Sequence, residues 1–297
     1  MVNDGENKKT WKAIIKALLI LIIVIIAFIG GYLFNENKSD VKEKDNKITV
    51  KDDKSKEVEI DINSEEVMGL YLPFSYHTHE ASDEELFIKD KTNSSELSTE
   101  YRNRLALAHY IAEGNKSEGM GKLKNAEIAV PYLSSKTLES YYKELFGTDI
   151  EYTPKSFNAY GIMSSTMIYY ENENRYYSSI EGGDISIYRF ANELYKAVKK
   201  NDTIELYVYV ITYYPSNDGF KISVFKSLED AKNSKNLIAE SSYENYQLMI
   251  KNKTVNYKNN ELYIDDISTY KEEASQYKLL FKLENNNYVF KSIERVK

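Results

Sequence analysis

Apolar residues fall along this chain in three patterns. The first is a continuous run. Ala17 to Phe34 contains no charged residue, and at about 1.5 Å rise per residue a helix there spans ~27 Å. Ala13 to Ile15 lengthen it if Lys16 snorkels, reaching the ~30 Å of a bilayer core.

The second pattern has helical spacing. Val67, Leu70 and Tyr71 form one face behind Asn63 and Glu66, whose spacing is that of a capping box. Tyr101, Leu105, Ala108 and Ala112 share a face in a helix predicted from Thr99 to Glu113 and stopped by Gly114-Asn115. Leu138, Tyr141, Tyr142, Leu145 and Phe146 fall at i, i+3, i+4, i+7 and i+8, with Ser135 to cap the start and Gly147 to end it.

The third pattern alternates. Ile48-Thr49-Val50 and Val58-x-Ile60-x-Ile62 read as a hairpin, as do Thr166 to Glu171 and Arg175 to Ile180 across Asn172-Glu173-Asn174. Ile204, Leu206, Val208 and Val210 make the clearest strand, with Tyr207, Tyr209 and Tyr213 on its opposite face. Phe220 to Lys226 continues the series, and Ser227 to Asp230 starts a short helical turn. Thr254 to Tyr257 pairs with Glu261 to Ile264, and Tyr277 to Leu283 pairs with Tyr288 to Ile293 across Asn285-Asn286.

Helices first and strands after predict an α+β fold: an N-terminal transmembrane helix, then helices packed on a curved antiparallel meander sheet. The corresponding division is 1–12 cytoplasmic tail, 13–34 transmembrane anchor and 35–46 flexible linker. Residues 47–150 then form a mostly helical part of the ectodomain, and 151–297 an antiparallel β-rich part.

Charge orients the anchor. Lys8, Lys9, Lys12 and Lys16 precede the apolar run, whereas Glu36, Lys38 and Asp40 follow it. The positive-inside rule puts the N-terminus in the cytoplasm and the C-terminal domain outside the cell membrane, with Trp11 and Tyr32 at the interfaces. The run is long for a signal peptide and no Ala-x-Ala pattern follows it, so an uncleaved anchor is expected.

Composition excludes several functions. The formal net charge is −7 over 297 residues, which gives no electrostatic reason to bind nucleic acid. The chain has no cysteine, which rules out disulfides, thiol catalysis and thiolate metal sites. The 27 tyrosines accompany abundant Lys, Asn and Ile and follow AT-rich codon usage; a glycan-stacking surface is their functional reading.

His77-Thr78-His79-Glu80 is the one metal-flavoured cluster, since side chains at i and i+2 of an extended segment point the same way. Nothing in the sequence supplies a third ligand, and Glu84-Glu85 are merely near. The reading is a solvated loop, with no metal, no cofactor and no catalytic residue assigned. His109, beside Leu105 and Ala112, reads as a packed histidine. Ser-x-x-Lys occurs from Ser39, Ser140, Ser223, Ser268 and Ser275, but only Ser140 and Lys143 fall on a predicted helix, and the companion motifs of serine β-lactam-binding enzymes are missing. The acidic pairs Glu65-Glu66 and Asp265-Asp266 point apart in either regular structure, and Gly182-Gly183-Asp184 reads as a turn.

Several blocks carry a resemblance. They are Ile60-Asp61-Ile62-Asn63-Ser64 leading to Val67 and Leu70-Tyr71, then Leu145-Phe146-Gly147, then Tyr270 with Tyr277 to Lys282 and Asn287 to Glu294. In these the chain resembles a group of uncharacterised membrane-anchored or lipid-anchored exported proteins of low-GC Gram-positive bacteria. Members of that group often carry a cysteine pair, which is missing here. The group implies no activity, and its final strands look like the end of NTF2-like or cystatin-like cone sheets.

The functional expectation is a single-pass membrane protein with an extracytoplasmic, non-enzymatic binding domain at the cell envelope. Its partners would be the membrane and an envelope protein or cell-wall component. The alternative is a cell-wall-directed enzyme or small-ligand receptor using a cone-sheet cavity lined by tyrosines.

Overall fold

A computed structural model describes residues 57–75, 84–122, 128–159, 166–179, 188–215, 222–241, 255–258, 261–264 and 267–297. The expected anchor 13–34, Ile48 to Val50, His77, His79, Gly182 to Asp184 and Asp265-Asp266 lie outside them. Among the described residues no helix is long and apolar enough to cross a membrane.

The fold is mixed α+β with antiparallel sheets. Its described strands and helices are, in order, β1 (Val58–Ile60), α1 (Glu65–Ser75), β2 (Lys91–Asn93), α2 (Thr99–Ala112), β3 (Gly119–Lys122), β4 (Ala129–Ser134) and α3 (Ser135–Phe146). There follow β5 (Phe157–Asn158), β6 (Thr166–Tyr170), β7 (Arg175–Ser179), β8 (Arg189–Lys200), β9 (Thr203–Pro215), β10 (Ile222–Phe225), α4 (Leu228–Lys232) and β11 (Leu237–Ser241). The last are β12 (Val255–Lys258), β13 (Glu261–Ile264), β14 (Ser275–Glu284) and β15 (Asn287–Arg295).

The larger sheet runs β1-β8-β9-β14-β15-β2, and the far end of β9 also pairs with β10, which carries β11. A second sheet runs β3-β4-β7-β6-β5, and β12 and β13 form a separate hairpin. The second sheet draws strands from both sides of residue 150. β1 pairs with β8.

The principal core lies between α1, α2, α3 and one face of the larger sheet. Ile204, Leu206, Val208 and Val210 turn into it from β9, as their alternation demands. Phe74 of α1 meets Phe281 and Phe290 at ring-centroid distances of 5.7 and 4.8 Å. Phe146 of α3 reaches Phe290 at 6.4 Å. Val67 and Tyr71 of α1 and Leu138, Tyr142, Leu145 and Phe146 of α3 are buried. The α3 start is shifted by one residue from the expected cap: Ser134, not Ser135, accepts from the Thr137 amide. Likewise, at α1 the Val67 amide donates to Ser64 Oγ, while Asn63 bonds back to Asp61.

The opposite face of β9 is not uniformly exposed. Tyr213 and Ile211 are fully buried in a second core with Ile222, Val224, Ile267, Tyr270 and Ala274. Tyr209 stays at its edge, stacked on Tyr195 of β8 at 4.0 Å and 24°. Three register shifts interrupt the alternation, one of them on β11, which passes from Ala239 to Leu237. On β8 the register passes from Leu194↔Val208 to Lys196↔Tyr207, leaving Tyr195 as the extra residue. On β15 it passes from Ser292 to Phe290, leaving out Lys291.

Candidate functional site

A cleft of about 370 Å³ opens between the start of α2 and the β5–β6 edge of the second sheet. Its lining includes Tyr101 and Arg104 of α2, Glu85 and Ser98 before that helix, and Ser156 and Phe157 opposite. Arg104 sets its character. This arginine is only 5 % exposed. Its guanidinium carbon sits 5.5 Å from the centroid of the Tyr101 ring. A guanidinium taken out of water is costly unless paired, and its planar fork matches a carboxylate.

The placement of these groups follows from the local sequence. Ser98 caps α2 by accepting from the Tyr101 amide at 3.1 Å. Glu85 Oε2 accepts from the Ser98 amide at 2.7 Å, tying the preceding segment to the helix start. Tyr101, Arg104 and Ala108 follow at i, i+3 and i+7, so Arg104 lies on the inward stripe. Asn103, fully buried, donates from Nδ2 to the Thr153 carbonyl at 3.1 Å and holds the 151–156 segment against α2. Tyr176 of β7 pins the same segment: its hydroxyl accepts from the Lys155 amide at 3.2 Å and bonds the Tyr152 hydroxyl at 2.9 Å. Lys155 in turn pairs with Glu100 on the cleft rim. The opposing wall is therefore fixed to α2 by several polar contacts.

The hydroxyl of Tyr101 also meets a buried carboxyl group. Glu84 is 2 % exposed. Its Oε1 accepts from the Tyr101 hydroxyl at 2.7 Å and from the Leu86 amide at 2.8 Å. Burial pushes the Glu84 carboxyl above the ordinary carboxylate range, against the pull of Arg104, the Tyr101 hydroxyl and the Leu86 and Phe87 amides. Burial, together with the Glu84 charge, also drives the Tyr101 hydroxyl well above its usual value. Glu84 and Glu85 thus differ: one is buried, the other lines the cleft and accepts from the amide of the capping Ser98.

Chemically, the cleft offers a buried cation on its floor, two aromatic rings and carboxylates at its rim. Arg104 is the group in this lining whose charge and planar fork can pair with an anion. A second cleft of about 280 Å³ lies farther along α2, walled mainly by Leu107, Ile111, Pro131, Leu133 and Met167. Its one charged lining residue is Lys116, which is exposed.

The residues singled out from sequence are placed as follows. His77 and His79 lie outside the described residues. His109 is largely buried on α2, with Nε2 3.4 Å from Glu144 Oε2 and Nδ1 without a hydrogen-bond partner. Burial lowers its pKa, opposed by Glu113 and Glu144. Ser140 Oγ donates to the Thr137 carbonyl at 2.8 Å, while Lys143 pairs with Glu139, so that Ser-x-x-Lys pair is engaged elsewhere. Ser275 Oγ donates to the Lys226 carbonyl, and Lys278 pairs with Glu205. Glu66 pairs with Lys199 across to β8.

Arg104 carried a signal that sequence reasoning passed over: a charged residue in line with Tyr101 and Ala108 on an apolar stripe. Glu84 had none, since its burial depends on how 84–87 packs against α2. Searches against protein-family models, curated proteins and solved structures find no match to this chain.

Proposed function

We propose that this chain is a single-pass membrane protein whose segment 13–34 anchors an extracytoplasmic binding domain, with the N-terminus in the cytoplasm. In this reading the helices sit on a curved antiparallel sheet, and the domain takes a carboxylate-bearing component of the cell envelope into the Arg104 cleft. The observation that carries the binding assignment is an arginine, buried over most of its length, that lines a cleft. Glu84 lies within electrostatic reach of that charge, and on the cleft side a ligand carboxylate can pair with its planar fork bidentately. The lysine asymmetry around the apolar run supports the anchoring. The role is recognition: the cleft presents a cation, aromatic rings and capped or paired carboxylates.

The test is to purify the full-length protein natively in detergent, denature it, and identify released small molecules by mass spectrometry. The wild type should release a carboxylate-bearing compound that Arg104→Gln protein, folded by circular dichroism, does not carry. The same compounds in equal amounts from both proteins would remove Arg104 from the site.

A further inference from the structure

A second cluster, remote in chemistry from the Arg104 cleft, joins the ends of α2 and α3. His109 and Glu113 are spaced i, i+4, which sets both side chains on one face where α2 ends. Glu144 comes from α3, with Oε2 3.4 Å from His109 Nε2. One donor atom from each of the three lies within 4.8 Å of the others. We propose that His109, Glu113 and Glu144 form a divalent-cation site, suited to Zn²⁺, that ties α2 to α3.

Three observations support a bound cation over an ordinary histidine–glutamate contact. The first is charge. Two carboxylates converge on one imidazole, and among the described residues neither makes an ion pair with a lysine or arginine. A divalent cation neutralises the pair, where a protonated imidazole would cancel one charge only. The second is support around the ligands. The Tyr141 hydroxyl donates to Glu113 Oε2 at 2.7 Å and itself accepts from Asn115 Nδ2 at 2.8 Å. The Tyr141 ring meets the His109 ring edge-on at 5.3 Å and 73°. Glu113 Oε2 is thus held by a hydrogen bond of the kind that orients carboxylate ligands in metal sites. The third is room to close. Zinc–ligand distances of ~2.0–2.2 Å set tetrahedral donors about 3.4 Å apart, so donors that lie within 4.8 Å of one another close by up to about 1.4 Å on binding. Glu144 is 51 % exposed, and its rotamers are free to do this.

The donor set also limits the metal. One imidazole nitrogen and two carboxylates, with no thiolate, suit Zn²⁺ and leave a coordination position for water. Nδ1 of His109 has no acceptor in this arrangement. The sequence carried half of this signal in His109-x-x-x-Glu113; Glu144 joins only through helix packing.

The test uses full-length protein in detergent, stripped of metal by a chelator and titrated with Zn²⁺, with metal content and thermal melts read together. The wild type should take up one equivalent and melt higher with Zn²⁺. Glu144→Gln, at an exposed position, should fold, lose the melting shift and bind about 100-fold more weakly. Glu171→Gln, another exposed acid, should behave as wild type. The site is overturned by no uptake in the wild type or by unchanged uptake in Glu144→Gln. It is equally overturned if His77→Ala with His79→Ala abolishes uptake while Glu144→Gln retains it.

Discussion

The hydroxyl of Tyr101 donates to Glu84 Oε1 at 2.7 Å, and both residues are buried. This bond joins the segment before β2 to the first turn of α2, and it supports the floor of the Arg104 cleft. Its energetics depend on protonation. Burial raises the Glu84 pKa from the ordinary value of 4.5. The folded state therefore holds the proton more tightly than the unfolded chain does.

The sign of the resulting pH dependence follows. The Glu84 contribution is fully present below the unfolded pKa and is lost as pH rises through the folded one. Urea unfolding of wild type and Glu84→Gln at a series of pH values isolates it. The wild type should lose stability relative to Glu84→Gln as pH rises above about 4.5. A difference that is flat, or that grows in favour of the wild type with pH, would show that Glu84 is held as a carboxylate.

The core of α3 gives a sharper contrast. Phe146 is fully buried against Tyr142 and Phe290, whereas Lys143 is half exposed and pairs with Glu139 one turn away. Phe146→Ala should cost about 3–5 kcal/mol. Lys143→Ala should stay within about 0.5 kcal/mol, because an exposed i, i+4 pair is worth little. Chemical denaturation of both variants checks this; comparable losses would mean α3 is not packed through this face.

Gly147 ends the same helix at φ +75°, ψ −166°, and its amide donates to the Lys143 carbonyl at 2.9 Å. A Cβ there would lie 3.2 Å from Glu284 Oε2 and 3.6 Å from Val289. Gly147→Ala should therefore destabilise by about 1–3 kcal/mol, from backbone strain and crowding together. A melting temperature equal to wild type would show that the chain leaves α3 by another route.

The sequence disclosed what local periodicity encodes. The α3 face was legible because Leu138, Tyr142, Leu145 and Phe146 meet one partner surface throughout. The hairpin β14–β15 was legible because Asn285 and Asn286 take positive φ values of 52° and 67° at its turn, as asparagine tolerates. β8 was not. Its bulge at Tyr195 changes which face successive residues present, so Phe190, Leu194 and Ala197 reach the same core at spacings of a helix, not a strand. Ala191 meanwhile packs in the second core, so β8 has two buried faces at one end. Tyr213 likewise became core because β10 and residues 267–274 cover that part of β9, a tertiary event with no local signature.

The candidate site divides the same way. Arg104 was visible as a charge on an apolar stripe. Glu84 and Glu144 were not, because each acquires its environment from a segment distant in sequence. Nothing near Glu84 announces Tyr101, and nothing near Glu144 announces His109.

Anchoring through segment 13–34 has its own measurement. Protease added to intact, wall-stripped cells should degrade the chain beyond about residue 35 and leave a small membrane-protected fragment, as the lysine bias requires. A fully protected C-terminal domain would reverse the orientation.

Recognition of a carboxylate by Arg104 is the central claim, and paired ligands test it most directly. Thermal melts of the full-length protein would be recorded with free amino acids and dipeptides, and with their C-terminal amides, for wild type and for Arg104→Gln. At least one free acid should raise the wild-type melting temperature while its amide does not, and Arg104→Gln should lose that difference. At about a hundred times the dissociation constant, the stabilisation would be about 2.7 kcal/mol. Equal shifts from acid and amide, or an acid-specific shift that persists in Arg104→Gln, would contradict the assignment.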